Sequence, residues 1–284
     1  MKDKICVITG ANSGIGKSMA KTIARKNARI VMVCRNLEKA EQTRQEIISE
    51  TRNEAIDIFL ADLSKQAEIR KVAEEIQSKY ARIDVLINNA GLIAKSYREL
   101  TQDGLELTFA INHIAYFMLT NLLIDQVKAS GKGRIISVSS EAHRFATLDL
   151  ENLQLEKGYN NMKAYALSKL CNILFTRELA KRLQGTDIVA NCFHPGGVAT
   201  NFAQDASPWM RTLMNLGKPF LSTPDQGADT GVYLATNPEV GNISGEYFAR
   251  RHVKLSSREA RDELKAKRLW EVSAELSKLK ETIY

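Results

Sequence analysis

Cysteine is scarce in this chain of 284 residues, and its four copies are spread out. Cys6, Cys34, Cys171 and Cys192 form no C-x-x-C pair and no group with histidine at the spacing of a metal site. These spacings are typical of neither a redox pair nor a metal site. Three of the cysteines fall in predicted buried strands and one in a predicted helix, where cysteine packs as a small hydrophobic residue. We therefore expect free thiols in a reducing compartment.

Long apolar runs and long blocks of one charge are also missing. The longest mostly apolar run, residues 114–124, contains Thr120 and Asn121 and is far shorter than the about 20 residues that a spanning helix needs. Met1 is followed almost directly by a predicted strand, so we expect no signal peptide. The net charge of +7 comes from scattered residues rather than from a tail that would bind nucleic acid. A cytoplasmic protein without a nucleic-acid partner is expected.

The chain does contain, near its start, a short apolar segment followed by closely spaced glycines. Residues 5–8 are typical of a strand buried on both faces, and Gly10, Gly14 and Gly16 follow at G-x-x-x-G-x-G spacing before a helical segment. Such a strand, turn and helix form a dinucleotide site, because glycines let the backbone approach the pyrophosphate and the helix N-terminus offers free N–H groups. The spacing differs from the usual G-x-G-x-x-G, so a glycine-rich turn of another α/β protein is the alternative.

Strand and helix patterns alternate along the rest of the chain. Further strands are predicted at residues 29–34, 55–60, 83–87, 134–138 and 188–193, and helices at residues 17–26, 37–51, 65–80, 103–129 and 161–183. Repeated β-α-β units imply one domain with a parallel sheet and helices on both faces. Polar or turn residues follow six of the strands, at Thr9, Arg35, Asp62, Asn88, Ser140 and Pro195. This edge of a doubly wound sheet binds ligands, although loops of any protein carry similar residues.

An ordered set of motifs gives the chain a specific resemblance. Over residues 2–249 the set comprises the glycine turn at residues 9–16, Asp62, N-N-A-G at residues 88–91, Asn112, Ser140, Y-x-x-x-K at Tyr165 and Lys169, and Pro195-Gly196 with Thr200. With these residues the chain resembles the short-chain dehydrogenase/reductase family. Two further features resemble the retinol-dehydrogenase-like branch of this family. One is the long gap before Tyr165, which we interpret as an inserted loop at residues 143–160, and the other is L-W-E at residues 269–271.

The resemblance also implies an architecture. We expect an α/β fold with a single-domain Rossmann-type doubly wound parallel sheet of about seven strands, in the order 3-2-1-4-5-6-7, and a C-terminal helical extension. Residues 1–250 would form the NADP-binding catalytic domain, and residues 251–284 an amphipathic helical extension on or near the substrate side.

The resemblance implies a catalytic set of Asn112, Ser140, Tyr165 and Lys169. Tyr165 and Lys169 lie four residues apart on a predicted helix and so share a face. A free tyrosine has a pKa of about 10. A nearby ammonium, with an oxidised nicotinamide, lowers that pKa, so that Tyr165 can act as general acid or general base. The alternative is a surface tyrosine beside a solvated lysine.

Ser140 and Asn112 have supporting roles in this prediction. Ser140 would hold the substrate oxygen by a hydrogen bond. Ser139 is its rival, and the family pattern, in which the catalytic serine closes a run such as residues 134–140, selects Ser140. Asn112 would help to anchor a water that links Lys169 to solvent. Because asparagine is a poor helix former, exposure on a polar helix face is the alternative for Asn112.

The residue after the second strand bears on the choice of cofactor. NAD enzymes commonly place an acid there, whereas this chain has Arg35 and no acid until Glu38. Arg35 can pair with a 2′-phosphate and stack on adenine, which favours NADP(H), while one more surface arginine is the alternative. By resemblance, further cofactor contacts are expected at Gly10, Asn12, Ser13, Gly14, Ile15, Gly16, Asp62, Leu63, Asn88, Ala90, Gly91, Tyr165, Lys169, Pro195, Gly196, Val198 and Thr200.

The C-terminal part is expected to shape the substrate side. Apolar residues at 206–223 fit a lid over an apolar substrate or a plain core helix. Those from Leu269 to Ile283 recur at spacings of three and four, which predicts an amphipathic helix packed on the body, on a second subunit as in a homodimer, or on a membrane, in that order. The expected activity interconverts an apolar carbonyl and alcohol, such as a retinoid, steroid or lipid-derived aldehyde, with NADP(H). A regulator that senses NADP(H) without turnover is the alternative.

Overall fold

The computed structural model describes residues 1–196 and 223–279. Within these residues the strands form one sheet in the order β3-β2-β1-β4-β5-β6-β7-β8. The strands are β1 Ile5–Thr9, β2 Arg29–Cys34, β3 Ile56–Leu60, β4 Val85–Asn88, β5 Arg134–Val138, β6 Val189–Phe193, β7 Tyr247–Ala249 and β8 His252–Val253. The first seven of them pair in parallel. This is the doubly wound sheet predicted from the sequence.

Strand β8 is not among the strands predicted from the sequence, which number about seven. Arg250 and Arg251 both have positive φ, of 50° and 65°. They turn the chain in a tight hairpin that pairs β8 antiparallel to β7. Two exposed residues give no periodic hydrophobic signal, which is why pattern analysis does not predict this strand.

Helices cover both faces of the sheet. They are α1 Gly14–Ala24, α2 Leu37–Thr51, α3 Gln66–Lys79, α4 Leu107–Phe109, α5 Ala115–Leu122, α6 Ile124–Lys128, α7 Asn161–Arg182, α8 Pro224–Thr236 and α9 Glu263–Leu276. Alternate residues of β1 enter different core clusters. Val7 packs with α3, α5 and α7, whereas Cys6 and Ile8 pack with α1, α2 and α8.

The helix predicted over residues 103–129 begins later and is irregular. Gly104 has a φ of 77° in a turn that precedes it. The buried Glu106 carboxylate then accepts hydrogen bonds from the N–H groups of Thr108 and Phe109, at 2.9 and 2.7 Å, and so starts α4. A π-helical turn at Ala110–Ile114 joins α4 to α5. Hydrophobic periodicity alone does not distinguish a π turn within a buried helix from an α turn.

The C-terminal helix α9 begins and ends earlier than predicted. Asp262 caps its first turn by accepting a hydrogen bond from the Lys265 N–H at 3.0 Å. Trp270 is buried, and its ring stacks on Phe175 of α7 with centroids 5.7 Å apart. Leu279 follows the helix, and Ile283 lies outside the described residues.

The state of the cysteines and the length of the apolar helices are both predicted from the sequence. All four cysteines are free and buried, in strands β1, β2 and β6 and in helix α7. In the part of the chain that the structure describes, every helix falls short of the length and apolar character needed to cross a membrane.

Candidate active site

The turn between β1 and α1 is shaped by close backbone contacts. Gly10 has a φ of 65°, and a Cβ there would lie 3.0 Å from the Ala90 Cα. A Cβ on Gly16 would lie 2.3 Å from the Gly10 carbonyl oxygen and 2.4 Å from the Asn89 Nδ2. Both positions therefore require glycine. The turn lies at the carboxyl ends of β1 and β4, the point at which the strand order reverses and doubly wound folds bind nucleotides.

The N-terminus of α1 opens at this turn with backbone groups that can hold an anion. Ser13 is the N-cap residue, but its side chain makes no capping hydrogen bond, and the first turn of α1 contains no acidic residue. Ser13 is exposed, and Asn12, Gly14 and Ile15 are partly exposed. Free N–H groups and the positive end of the helix dipole fit a pyrophosphate.

Thr9 and Asn89 join the two central strands at the same edge. The Thr9 Oγ1 accepts hydrogen bonds from the N–H groups of Asn89 and Ala90, both at 2.9 Å. The Asn89 Nδ2 donates to the Thr9 carbonyl oxygen at 2.8 Å. These bonds hold Ala90 and Gly91 beside the glycine turn. Thr9 and Asn89 lie within the predicted motifs at residues 9–16 and 88–91, but neither is among the predicted catalytic or cofactor-binding residues.

Arg35 and Asp62 follow the ends of β2 and β3. Arg35 is exposed, and among residues 1–196 and 223–279 no group pairs with its guanidinium. An unpaired guanidinium at this edge can bind a phosphate. Asp62 instead accepts hydrogen bonds from the Ser64 N–H and hydroxyl, at 3.0 and 2.7 Å, and so shapes the turn after β3.

Two predicted cofactor contacts have buried side chains. Leu63 packs in the core, which leaves only its backbone to face a ligand. Asn88 is fully buried, and its Nδ2 donates to the Thr120 Oγ1 at 2.9 Å. This bond ties β4 to α5, so the Asn88 side chain supports the central strand from behind the edge.

Ser140 and Tyr165 come together where β5 ends and α7 begins. Their hydroxyls are joined by a hydrogen bond that favours the phenolate, but burial has the larger effect and raises the pKa of Tyr165. From the sequence we expect the Lys169 ammonium, together with an oxidised nicotinamide, to lower the pKa of Tyr165. Among the protein's own groups burial dominates, and the pKa of Tyr165 is raised. Ser139 points elsewhere, because its Oγ donates to the Lys169 carbonyl oxygen at 2.8 Å. The structure thus places Ser140, rather than Ser139, beside the phenol.

Lys169 is buried one turn further along α7. The residue is 2% exposed, and its Nζ donates to the Val138 carbonyl oxygen at 3.0 Å. The same Nζ lies 5.6 Å from the centroid of the Tyr165 ring. Burial lowers the pKa of Lys169 to about 7. This is not a solvated surface lysine, and a group that titrates near neutrality beside a phenol is suited to proton transfer.

Asn112 lies in the π turn and is fully buried, so it is not on a polar helix face. Its Oδ1 accepts a hydrogen bond from the Leu92 N–H at 2.9 Å, and its Nδ2 donates to the Leu92 carbonyl oxygen and the Ser168 Oγ, both at 3.0 Å. A Cβ on Gly91 would lie 3.1 Å from the Asn112 Oδ1 and 3.6 Å from the Lys169 Nζ. Gly91 therefore keeps space between these two polar groups. Such π turns often mark functional sites.

The turn after β6 is held by a histidine. The Gly196 N–H donates to the His194 Nδ1 at 3.1 Å, which leaves the proton on Nε2, 3.4 Å from the Glu141 Oε1. Pro195, between them, is partly exposed. Two predicted cofactor contacts, Val198 and Thr200, lie outside the described residues, as does all of the segment 206–223 except its last residue.

Known proteins are similar to this chain over most of its length. A family model described as short chain dehydrogenase matches residues 4–211. The chain is 41% identical to retinol dehydrogenase 11 of Homo sapiens, over 96% of this chain and 85% of that protein. It is 38% identical to retinol dehydrogenase 14 of Homo sapiens, over 96% of this chain and 86% of that protein.

Solved structures give the same result for the fold. An uncharacterised protein from Mycobacterium Paratuberculosis superposes with a TM-score of 0.80 at 31% identity, covering 98% of this chain and 95% of that one. A protein of Escherichia coli CFT073, assigned as a short chain dehydrogenase and crystallised with NADPH, superposes with a TM-score of 0.69 at 27% identity. That alignment covers 87% of this chain and 96% of the other.

Proposed function

This chain belongs to the short chain dehydrogenase family, and we propose that it is an NADP(H)-dependent oxidoreductase in which Tyr165 is the general acid and base. The observation that carries this proposal is the buried Lys169, whose Nζ lies 5.6 Å from the Tyr165 ring. The ammonium has little structural reason to be buried there, since burying a charge is costly. Its position is understandable if it controls the charge of the phenol.

In the proposed reaction each catalytic side chain handles the substrate oxygen or its proton. NADPH, when bound, supplies the hydride. Tyr165 donates its proton to the carbonyl oxygen, while Ser140 holds that oxygen by a hydrogen bond. The Lys169 ammonium stabilises the phenolate that remains. Asn112 helps to anchor a water through which Lys169 exchanges protons with solvent, as the family resemblance implies. In alcohol oxidation the same proton moves in the opposite direction.

The choice of NADP(H) rests on the nucleotide edge. Gly10, Gly14 and Gly16 allow a pyrophosphate to approach the backbone, and the uncapped start of α1 complements its charge. Arg35 is exposed and can bind a 2′-phosphate that an acid at this position would repel. The solved Escherichia coli relative contains NADPH, which supports the same choice.

The substrate is proposed to be an apolar carbonyl or alcohol. The two human relatives are retinol dehydrogenases by name, which supports a retinoid, with steroids and lipid-derived aldehydes or ketones as related candidates. We further propose that residues 1–250 form the catalytic domain and residues 251–284 an extension near the substrate side. The stacking of Trp270 in α9 on Phe175 of α7 supports packing of this extension on the catalytic domain. The cytoplasmic location and the homodimer or membrane contact considered above stay predictions.

A panel assay tests the proposal. The full chain is mixed with NADPH or NADH and a set of aldehydes and ketones that includes all-trans-retinal, and the loss of reduced cofactor is followed. We expect turnover with NADPH and apolar carbonyls, and much slower turnover with NADH. NADPH binding without turnover of any panel member would contradict the enzyme as proposed and favour a sensor of NADP(H). Absence of nucleotide binding by folded protein would contradict both.

A further inference from the structure

The Lys169 ammonium has few polar partners for a buried charge. Among the described residues its Nζ makes one hydrogen bond, to the Val138 carbonyl oxygen at 3.0 Å. The Asn172 Nδ2 donates to the same oxygen at 3.1 Å, so this one carbonyl serves two donors. An ammonium has three N–H donors, and in residues 1–196 and 223–279 no carboxylate pairs with this one, whose pKa is shifted by burial. Hydrogen bonds to the protein therefore do little to keep the side chain charged.

Two tyrosine rings lie close to the same ammonium. The Lys169 Nζ is 5.6 Å from the ring centroid of Tyr165 and 5.8 Å from that of Tyr116. Both distances are within the range of cation–π attraction, which is strongest where water is excluded. The rings come from different helices, since Tyr165 lies in α7 and Tyr116 lies in α5, directly after the π turn that carries Asn112.

The ring of Tyr116 is the part of this side chain that can act on Lys169. Tyr116 is 1% exposed, and its hydroxyl has no hydrogen-bond partner among the described residues. Burial raises the pKa of Tyr116 well above its ordinary value, so the phenol stays neutral. A neutral hydroxyl without a partner neither orients Lys169 nor passes a proton to it. The electron-rich face of the ring needs no such partner.

We propose that Tyr116 is a positioning residue whose ring stabilises the charged form of Lys169 by a cation–π interaction. Within the described residues the Lys169 Nζ lies near the Tyr165 ring from α7, the Tyr116 ring from α5 and the Val138 carbonyl from β5, which also accepts from the Asn172 amide. The inference rests on the proposed function, because the charge on Lys169 matters to the reaction only if Tyr165 exchanges a proton.

The consequence concerns the pH at which the site works. Without the Tyr116 ring, Lys169 loses its proton at a lower pH. At neutral pH the ammonium then no longer favours the Tyr165 phenolate, and the pKa of Tyr165 rises further. Alcohol oxidation, which needs the phenolate, should become slower near neutrality and recover at higher pH.

The protonation of Lys169 can be read directly by NMR. The full chain is labelled with ¹³C at the lysine Cε, and Lys169→Met identifies the Lys169 signal by its loss. We expect the wild-type signal to titrate with a pKa of about 7. Tyr116→Leu should lower that midpoint by about one pH unit, a tenfold change in the protonation equilibrium. Tyr116→Phe keeps the ring and should leave the midpoint in place.

A neighbouring ring in the same helix provides the matched control. Phe117 contacts Trp270, with ring centroids 4.8 Å apart, so Phe117→Leu should disturb the core without moving the Lys169 titration. An unchanged midpoint in Tyr116→Leu would overturn the inference. An equal fall in Tyr116→Leu and Tyr116→Phe would overturn it as well, because the hydroxyl would then be the active group. If Tyr116→Leu does not fold, Tyr116→Met takes its place, since methionine fills irregular core space without a ring.

This titration needs neither substrate nor turnover. Its failure would therefore remove the role of Tyr116 and leave the oxidoreductase proposal intact. Failure of the oxidoreductase proposal would give a different result. NADPH would not be consumed with any panel member, while Lys169 would still titrate as expected.

Discussion

The carboxyl edge of the sheet has two sides that are built by different means. On the nucleotide side, between β1 and β4, backbone shape dominates, because a side chain at Gly16 would collide with the Gly10 carbonyl and the Asn89 amide. On the catalytic side, between β5 and α7, buried polar side chains dominate, with Lys169 2% exposed and Asn112 fully buried. Steric requirements of this kind can be recognised in the sequence, because they fix the spacing of glycines. The charge state of a buried group depends on neighbours that are distant in sequence.

The largest expected effect is loss of turnover on the catalytic side. Lys169→Met removes the ammonium that favours the Tyr165 phenolate, and kcat should fall by about 10²- to 10⁴-fold, the range of general acid–base catalysis. The measurement is NADPH oxidation at saturating carbonyl substrate. Lys163→Met is the control, because Lys163 is exposed in the first turn of the same helix. Similar rates for the two variants would remove Lys169 from the mechanism.

A glycine substitution on the nucleotide side should lower NADPH affinity and stability. A Cβ at residue 16 meets backbone and amide atoms at 2.3 and 2.4 Å, so Gly16→Ala should cost about 1–3 kcal/mol of stability and about tenfold or more in NADPH affinity. Affinity is measured by fluorescence titration and stability by denaturant unfolding. Gly131→Ala is the control, since Gly131 has a φ of 77° and no atom within 4 Å of its Cβ position. This control should lose some stability and keep its NADPH affinity.

The stability of the folded chain should depend on pH through Lys169. The pKa of Lys169 is about 7 in the folded chain and about 10.4 for an ordinary lysine, so the unfolded state binds more protons between these values. Stability from this group therefore rises as the pH increases from about 7 to about 10, and the penalty is fully present below that window. Lys169→Met should remove this slope and be more stable than wild type at acidic pH. Denaturant midpoints across the window measure it, and parallel curves for both proteins would contradict the burial of a charge.

The smallest expected effect is on cofactor choice. Arg35→Ala should lower the ratio of NADPH to NADH efficiency by about tenfold, the value of one charge-assisted contact with the 2′-phosphate. Stability should not change, because Arg35 is exposed. Lys26→Ala, an exposed cation after α1, is the control and should leave the ratio alone. An unchanged ratio in Arg35→Ala would separate this residue from cofactor recognition.

Regular elements could be predicted because local signals agree with the fold. The predicted helix at residues 37–51 matches α2, where the Asn36 side chain accepts a hydrogen bond from the Lys39 N–H at 2.8 Å and marks the start. The strands at residues 29–34 and 134–138 match β2 and β5, whose apolar runs are buried. The glycine spacing likewise predicted the turn between β1 and α1, which is present in the structure and has no space for a side chain at Gly16.

The catalytic side was less accessible to prediction. Ser139 and Ser140 both follow β5, and only the fold shows that one bonds the Lys169 carbonyl while the other meets Tyr165. Tyr116 looks like one more apolar position of a buried helix, because its proximity to Lys169 depends on the packing of α5 against α7. The π turn that precedes Tyr116 leaves no mark on the hydrophobic pattern.

The central claim is that Tyr165 carries the proton, and one pair of variants tests it most directly. Tyr165→Phe and Tyr159→Phe each remove a single phenolic hydroxyl, and Tyr159 lies outside the catalytic set, with its hydroxyl 3.5 Å from the Glu106 carboxylate. Each protein is assayed for NADPH binding and for NADPH oxidation with an apolar aldehyde on the same sample. The account predicts that both variants bind NADPH and that only Tyr165→Phe stops turning over. Turnover by Tyr165→Phe at the wild-type rate would contradict it.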